Sequence, residues 1–132
     1  MEDRNVLIDT SVIIDFLRKA NKRSSRLWQL QEQGITGHVS TITLFEVYAG
    51  AREPRHFDDL QRLFKWFVIL PFTEPMAIQA SAIFRTLKAH NQVIEFRDIF
   101  IAATAMVLEM PIVTLNLRHF QRIQGVHIYR KD

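Results

Sequence analysis

Three carboxylates lie in otherwise apolar segments of this sequence, and together they suggest metal chemistry. Asp9 follows the apolar run NVLI, Glu46 lies within LFEVYAG, and Asp98 comes directly before IFIAATA. A carboxylate is rarely placed in apolar surroundings unless it is paired or bound to a cation. Because like charges brought together raise one another's pKa, a neutralising ligand is the simplest explanation. Ligands that are all oxygen favour a hard cation such as Mg²⁺ or Mn²⁺ over zinc.

Each carboxylate also has a structural interpretation that the sequence leaves open. Asp9 fits the N-cap of a helix that begins with Thr10. Glu46 stands three residues after Thr43, which is the spacing of a capping box. Asp98 fits the N-cap of the apolar helix that follows it and would complement the dipole of that helix. The recurrence of all three at or near helix starts favours a shared site.

The composition limits the class of protein. The chain has 132 residues, of which 48% are hydrophobic and 23% are charged, so we expect a single domain spanning residues 1–132. It has no cysteine, which excludes disulfide scaffolds, thiol catalysis and cysteine-ligated zinc. The longest segment free of Asp, Glu, Lys and Arg covers residues 33–45, which is too short for a membrane span of about 20 residues. We therefore expect a soluble protein of the cytoplasm with no membrane segment.

Apolar runs of strand length alternate with helical patterns along the chain. The predicted strands cover residues 5–9, 35–39, 67–72, 112–115 and 126–129. The predicted helices cover residues 10–20, 24–33, 41–50, 74–90 and 118–124, with two more beginning at Pro54 and Asp98. This alternation indicates an α/β fold, a three-layer sandwich with a mostly parallel central sheet covered on both faces. Ligands of such sheets bind outside the carboxyl ends of the strands, where Asp9 and Asn116 are expected to lie.

Several other chemistries lack their motifs. The sequence has no glycine-rich loop for a nucleotide phosphate and no G-x-S-x-G nucleophile elbow. Its five histidines form no pair at the spacing of a helical zinc site. The carboxylates therefore remain the main candidates for catalysis.

Four segments in order resemble the PIN domain family, and in particular its VapC-type toxins. They are D-T-S at 9–11, the glutamate of LFEVYAG, R-D-I-F-I-A-A-T-A at 97–105, and T-L-N-L-R-H-F at 114–120. The resemblance runs from Val6 to the last predicted strand. It implies a ribonuclease dependent on Mg²⁺ or Mn²⁺ that acts as the toxin of a type II toxin–antitoxin pair. It also implies an RNA substrate, a small antitoxin as protein partner, and a homodimer.

The resemblance assigns roles to five residues. Asp9, Glu46 and Asp98 match the acidic metal-binding triad, and Ser11 matches a hydroxyl residue that supports the first aspartate. Asn116 matches a catalytic position that many members fill with aspartate. Because asparagine brings no charge, a second metal ion would be held more weakly, and the number of ions stays open. Ser11 as an ordinary helix-start residue and Asn116 as a turn residue also stay open.

Basic side chains supply candidate contacts to RNA. Twelve of the 17 basic residues are arginine, whose planar fork suits phosphate. Arg118, His119 and Arg122 are candidate contacts to RNA phosphates beside the catalytic residues. A second basic run, at residues 18–26, could follow an RNA backbone. A solvated helical face, and for the second run a role at a helix C-terminus, are the alternatives.

Other functions remain open on the sequence alone. A PIN nuclease for RNA maturation and a catalytically silent PIN-like scaffold share the same motifs. A phospho-acceptor signalling module is disfavoured, because it requires an acidic pair at the end of a strand and Asp9 stands alone. A small antitoxin gene beside this one would favour the toxin over the maturation nuclease.

Overall fold

A four-stranded parallel sheet forms the centre of the computed structural model, which describes residues 4–130. The strands are β1 (Asn5–Ile8), β2 (Thr36–Ser40), β3 (Val68–Leu70) and β4 (Ile112–Val113). Their order across the sheet is β3-β2-β1-β4, and every pair is parallel. In the register, Leu7 of β1 lies between His38 of β2 and Ile112 of β4.

Seven α-helices connect and cover these strands. They are α1 (Thr10–Arg18), α2 (Arg26–Glu32), α3 (Thr41–Ala49), α4 (Pro54–Phe64), α5 (Glu74–Ala89), α6 (Phe96–Leu108) and α7 (Leu117–Gln121). Local sequence explains several of their starts: the Ser40 side chain accepts a bond from Ile42 N at the head of α3, and Pro54 opens α4. None of the helices within residues 4–130 is both long and apolar enough to cross a membrane.

Alternating side chains of β1 divide the interior between the two faces of the sheet. Val6 and Ile8 belong to one buried cluster, with side chains of α1, α2, α3 and α4. Leu7 belongs to the other, with side chains of α5, α6 and α7 that include Ile101 and Phe120. This is the pattern of a strand buried on both faces. The predicted three-layer α/β sandwich is confirmed.

The strand order places a crevice at the carboxyl edge of the sheet. The chain moves from β1 through β2 to β3 in one direction, and then returns to add β4 on the other side of β1. Ligands in open parallel sheets bind at such a reversal, outside the carboxyl ends of the strands. Helix α1 begins there because it directly follows β1. Helix α6 also begins at this edge, because it runs back along the sheet and leads into β4.

Several predicted elements differ from those observed, including one helix and two strands. Helix α6 begins at Phe96, with Glu95 as its N-cap residue, so Asp98 lies in the first turn and is not the cap. The predicted strand at 126–129 is a single bridge between Ile112 and Ile128, since β4 itself is only two residues long. The run at 67–72 yields only the three-residue β3. As an edge strand β3 is not covered on both faces, and its first two residues are exposed.

We expect Gly37→Ala to destabilise the fold, because the glycine lies where β2 packs against buried side chains. A methyl group there would come within 2.9 Å of a Phe67 ring carbon and 3.2 Å of a side-chain carbon of Ile8. Overpacking of this kind costs about 1–3 kcal/mol, measurable as a lower midpoint of urea unfolding. Gly50→Ala is the matched control, because its added methyl group meets nothing closer than 3.5 Å. Equal midpoints for the two variants would contradict this account of β2.

Candidate active site

Asp9 and Asp98 face one cleft at the carboxyl edge of the sheet. The cleft has a volume of about 620 Å³. Its lining includes both aspartates together with Ser11, Arg97 and Asn116. The two aspartates are each only 3% exposed. Two carboxylates held this far from water need a positive or proton-donating partner.

The Asp9 carboxylate is held by hydroxyl groups from two elements. Ser11 Oγ, in the first turn of α1, donates to Asp9 Oδ2 at 2.7 Å. Thr114 Oγ1, directly after β4, donates to the same oxygen at 2.8 Å. The Ser11 hydroxyl also accepts a bond from Leu115 N at 3.0 Å, which ties α1 to the segment after β4. Neither hydroxyl donates to Oδ1, so both bonds orient the carboxylate through a single oxygen.

Asp98 is held by an imidazole and an amide that follow β4. His119 Nδ1 lies 2.5 Å from Asp98 Oδ2. Asn116 Nδ2 donates to the same oxygen at 3.3 Å and lies 2.8 Å from His119 Nδ1. When Asp98 is ionised it can only accept, so the imidazole is then the donor in the His119 contact. Here too both partners use Oδ2.

Glu46 lies beside this cleft and is connected to the neighbours of both aspartates. Thr10 Oγ1 donates to Glu46 Oε1 at 2.9 Å and lies 3.0 Å from Thr43 Oγ1. Arg97 Nη1 donates to Glu46 Oε2 at 2.8 Å. Glu46 therefore accepts hydrogen bonds from Thr10, which directly follows Asp9, and from Arg97, which directly precedes Asp98. Its side chain lines an adjoining groove rather than the cleft itself.

The family of the chain follows from comparison with known proteins. The model of the PIN domain matches residues 6–126, which include every residue of the site just described. The chain belongs to the PIN domain family.

Relatives of this PIN domain match along most of their length. Ribonuclease VapC1 of Methanocaldococcus jannaschii is 34% identical, over 98% of this chain and 90% of that protein. Ribonuclease VapC19 of Mycobacterium tuberculosis is 32% identical, over 86% and 90% respectively.

Solved structures share the fold. The structure of FitAcB from Neisseria gonorrhoeae matches with a TM-score of 0.76 and 26% identity, over 94% of this chain and 96% of that chain. DNA-bound VapBC from Salmonella typhimurium matches with a TM-score of 0.83 over 95% and 96% of the two chains. Its 24% identity shows the likeness of fold alone.

The structural interpretations of the three carboxylates hold only in part: Asp98 is not an N-cap residue, but it lies in the first turn of α6, where it complements the helix dipole. Asp9 occupies the N-cap position of α1, but its side chain makes no capping bond there. Thr43 is not the cap of a capping box with Glu46, because Ser40 caps α3 and the Thr43 hydroxyl pairs with Thr10. The Asp9 carboxylate accepts from the Ser11 and Thr114 hydroxyls rather than from a backbone N–H of α1, and the Thr43 hydroxyl pairs with Thr10 of another helix.

The sequence-predicted site residues do not all converge. The cleft brings together Asp9, Asp98, Ser11 and Asn116, whereas Glu46 lines the adjoining groove and pairs with Arg97. Within residues 4–130, no group of three or more histidine, aspartate or glutamate side chains is close enough together to hold one metal ion. The assignment of Glu46 to a metal site therefore stays a prediction.

The candidate RNA contacts occupy three different places. His119 contacts Asp98 and Asn116. Arg122 lines a separate depression beside α5, and Arg118 is exposed on α7. In the basic run, Arg18 and Lys19 line the cleft with the aspartates. Their role in RNA binding stays a prediction.

Other basic residues of that run support the fold locally. Lys22 donates to the carbonyl oxygens of Phe16 and Leu17 near the end of α1, which is the helix C-terminal role expected as an alternative. Arg23 lies over the Trp28 ring.

Sequence reasoning did not find four residues that support the carboxylates: Thr10, Thr43, Arg97 and Thr114. Their partners are 33 to 105 residues away in sequence, so local spacing carries no signal for them. For Thr114 a signal was available, because a hydroxyl residue directly after a strand faces the same edge as Asp9.

Burial raises the pKa of Asp98, and the nearby charge of Asp9 raises it further, while the hydrogen bond from His119 lowers it. A carboxyl group with a raised folded-state pKa favours folding below its unfolded pKa, and this contribution is lost as the pH rises through the folded pKa. The ionised Asp98 therefore destabilises the metal-free fold at neutral pH.

We expect Asp98→Asn to raise the stability of the metal-free protein at pH 7 by roughly 1 kcal/mol, because it removes a buried charge at nearly constant shape. Urea unfolding in EDTA measures the change, and the advantage should shrink as the pH falls toward 4. Asp59→Asn is the control, since Asp59 lies in an exposed pair with Arg62 and should gain nothing. A less stable Asp98→Asn protein at pH 7 would contradict the expected direction of the change.

Proposed function

We propose that the chain is a metal-dependent endoribonuclease of the cytoplasm and the toxin of a type II toxin–antitoxin pair. The observation that carries the proposal is the pair of buried carboxylates, Asp9 and Asp98, at the strand reversal of a PIN domain. The likeness to proteins named Ribonuclease VapC along nearly the whole chain supports the same activity.

The donor set of the cleft fits a hard divalent cation. Ser11 and Thr114 both donate to Oδ2 of Asp9, and His119 and Asn116 both contact Oδ2 of Asp98. These partners leave Oδ1 of each aspartate to other ligands. Carboxylate oxygens suit Mg²⁺ or Mn²⁺, and we propose that Asp9, Asp98 and a released Glu46 hold the ion.

The chain's own residues position the reaction around that ion. When bound, the cation supplies acidification of a water molecule and offsets negative charge on a phosphoryl oxygen. The hydroxyls of Ser11 and Thr114 fix the orientation of Asp9, and His119 fixes that of Asp98. Neither a covalent nucleophile nor a histidine base is required.

An RNA strand is the proposed substrate because basic side chains border the acidic centre. Arg18 and Lys19 line the same cleft as the aspartates, and both lie at the end of α1. Cations at this position attract a phosphate backbone toward carboxylates that would otherwise repel it. Arg118 and Arg122 are proposed as more distant phosphate contacts.

A small antitoxin is the proposed protein partner. A groove of about 540 Å³ runs beside the active-site cleft, between α1, α3 and α4. Its apolar lining includes Leu17, Val47, Leu60 and Leu63, which suits the apolar face of an amphipathic helix. A second copy of the chain is also proposed as a partner, and the exposed rings of Phe45 and Phe96 supply apolar surface for it.

We expect the purified chain to cleave single-stranded or looped RNA only when Mg²⁺ or Mn²⁺ is present. Asp9→Asn removes a ligand charge at nearly constant shape and should reduce the cleavage rate by roughly 100-fold or more. A fluorophore–quencher RNA measures the rate, and circular dichroism establishes that the variant folds.

Asp59→Asn is the control for this assay, because Asp59 does not line the active-site cleft. It should cleave at the rate of the unmodified chain. Undiminished cleavage by Asp9→Asn, or cleavage by the unmodified chain in excess EDTA, would overturn the metal-dependent mechanism.

We expect expression of this chain alone to arrest the growth of a bacterial host, because an uninhibited endoribonuclease destroys cellular RNA. Asp98→Ala should relieve the arrest, and so should co-expression of a neighbouring small reading frame that encodes an antitoxin. Colony counts after induction measure both effects. If the chain is folded and cleaves RNA but its expression is harmless, the toxin proposal fails and RNA maturation becomes the better function.

A further inference from the structure

Arg97 borders the active-site cleft and pairs with two glutamates, Glu46 and Glu95. Its Nη1 donates to Glu46 Oε2 at 2.8 Å, and its Nε lies 3.0 Å from Glu95 Oε2 in an ion pair. The Arg97 side chain is 49% exposed, whereas that of Glu46 is only 15% exposed. Arg97 lines the cleft together with Asp9 and Asp98, but Glu46 does not. Arg97 is therefore paired with Glu46 and at the same time borders the cleft of the two aspartates.

Both oxygens of Glu46 are engaged in this arrangement. Oε1 accepts from the neutral hydroxyl of Thr10, and Oε2 accepts from the cationic Arg97. The bond from Arg97 to Glu46 raises the pKa of Arg97, so this guanidinium stays charged. A divalent cation bound by Asp9 and Asp98 would repel it, and one carboxylate cannot neutralise both cations fully.

We propose that Arg97 is a positioning residue that competes with the metal ion for Glu46. In the metal-free protein it holds Glu46 outside the cleft, and metal binding exchanges this ion pair for coordination by Glu46. This inference rests on the proposed metal-dependent function.

The surroundings of Arg97 make such an exchange feasible. Arg97 is half exposed, so water solvates the guanidinium when Glu46 leaves it, and Glu95 remains as a second partner. The bond from Thr10 to Oε1 can persist and keep Glu46 near the cleft. Because a partly exposed ion pair contributes little, Arg97 lowers metal affinity without preventing binding.

Direct Mn²⁺ binding to the full chain tests the inference without any RNA. The electron paramagnetic resonance signal of free Mn²⁺ measures the dissociation constant. Arg97→Gln should bind Mn²⁺ about two- to fivefold more tightly than the unmodified chain, the range expected from losing a partly exposed pair. Arg55→Gln is the matched control: it removes the same charge from an exposed pair with Glu53, outside the cleft, and should leave the affinity unchanged.

A second background separates competition for Glu46 from simple repulsion of the ion. Glu46→Gln keeps an oxygen that can accept from Thr10, but it carries no charge to pair with Arg97 or with the metal ion. In this background Arg97→Gln should raise Mn²⁺ affinity by clearly less than it does when Glu46 is charged, because only direct repulsion of the ion remains to be removed. An equal gain with and without the Glu46 charge would overturn the inference, and so would unchanged affinity in the Arg97→Gln single variant.

The same preparations distinguish this failure from failure of the proposed function. If the unmodified chain binds Mn²⁺ and cleaves RNA while Arg97→Gln binds no more tightly, only the role of Arg97 is overturned. If tighter binding by Arg97→Gln is observed but no preparation cleaves RNA, the role of Arg97 holds and the nuclease proposal fails. If the unmodified chain binds no Mn²⁺, both proposals are overturned.

Discussion

Two aspartates confined away from water, at the point where the strand order reverses, are the constraint on which the rest of the site depends. Asp9 and Asp98 are each 3% exposed and line one cleft. Burial and mutual repulsion raise the pKa of Asp98, so the fold bears an electrostatic cost that a cation would relieve. The stability of the apolar layers above and below the sheet offsets this cost. The same buried carboxylates that would bind a cation therefore lower the stability of the metal-free fold.

The surrounding polar groups orient these charges without neutralising them. Ser11 and Thr114 are neutral donors to Asp9, and Asn116 is a neutral donor to Asp98. The first turns of α1 and α6 add the positive ends of two helix dipoles. This arrangement fixes carboxylate geometry while leaving negative charge for a cation. The charged Arg97 side chain pairs with Glu46, which lines the adjoining groove rather than the cleft of the two aspartates.

Local patterns predicted the sheet edge well and the side-chain contacts poorly. Asp9 could be placed because an apolar strand and a helical stripe flank it, and the parallel fold follows from the alternation of such elements. Arg97 could not be paired with Glu46, because 51 residues separate them and only the packing of α3 against α6 brings them together. The start of α6 was predicted at Asp98 but lies two residues earlier, at Phe96. Glu95 occupies the N-cap position without a side-chain capping bond, so the local sequence does not mark this helix start. The strand predicted at 126–129 failed because β4 offers it only two residues for pairing.

Anomalous diffraction from crystals grown with Mn²⁺ tests the central claim most directly. We expect one strong anomalous peak in the cleft, within about 2–2.5 Å of an Asp9 oxygen and an Asp98 oxygen, with Ser11 and Thr114 still donating to Asp9. We also expect Glu46 to have turned from Arg97 toward the ion. A saturating Mn²⁺ concentration that gives a peak only elsewhere, or none, would contradict the claim that the buried aspartates form a metal centre.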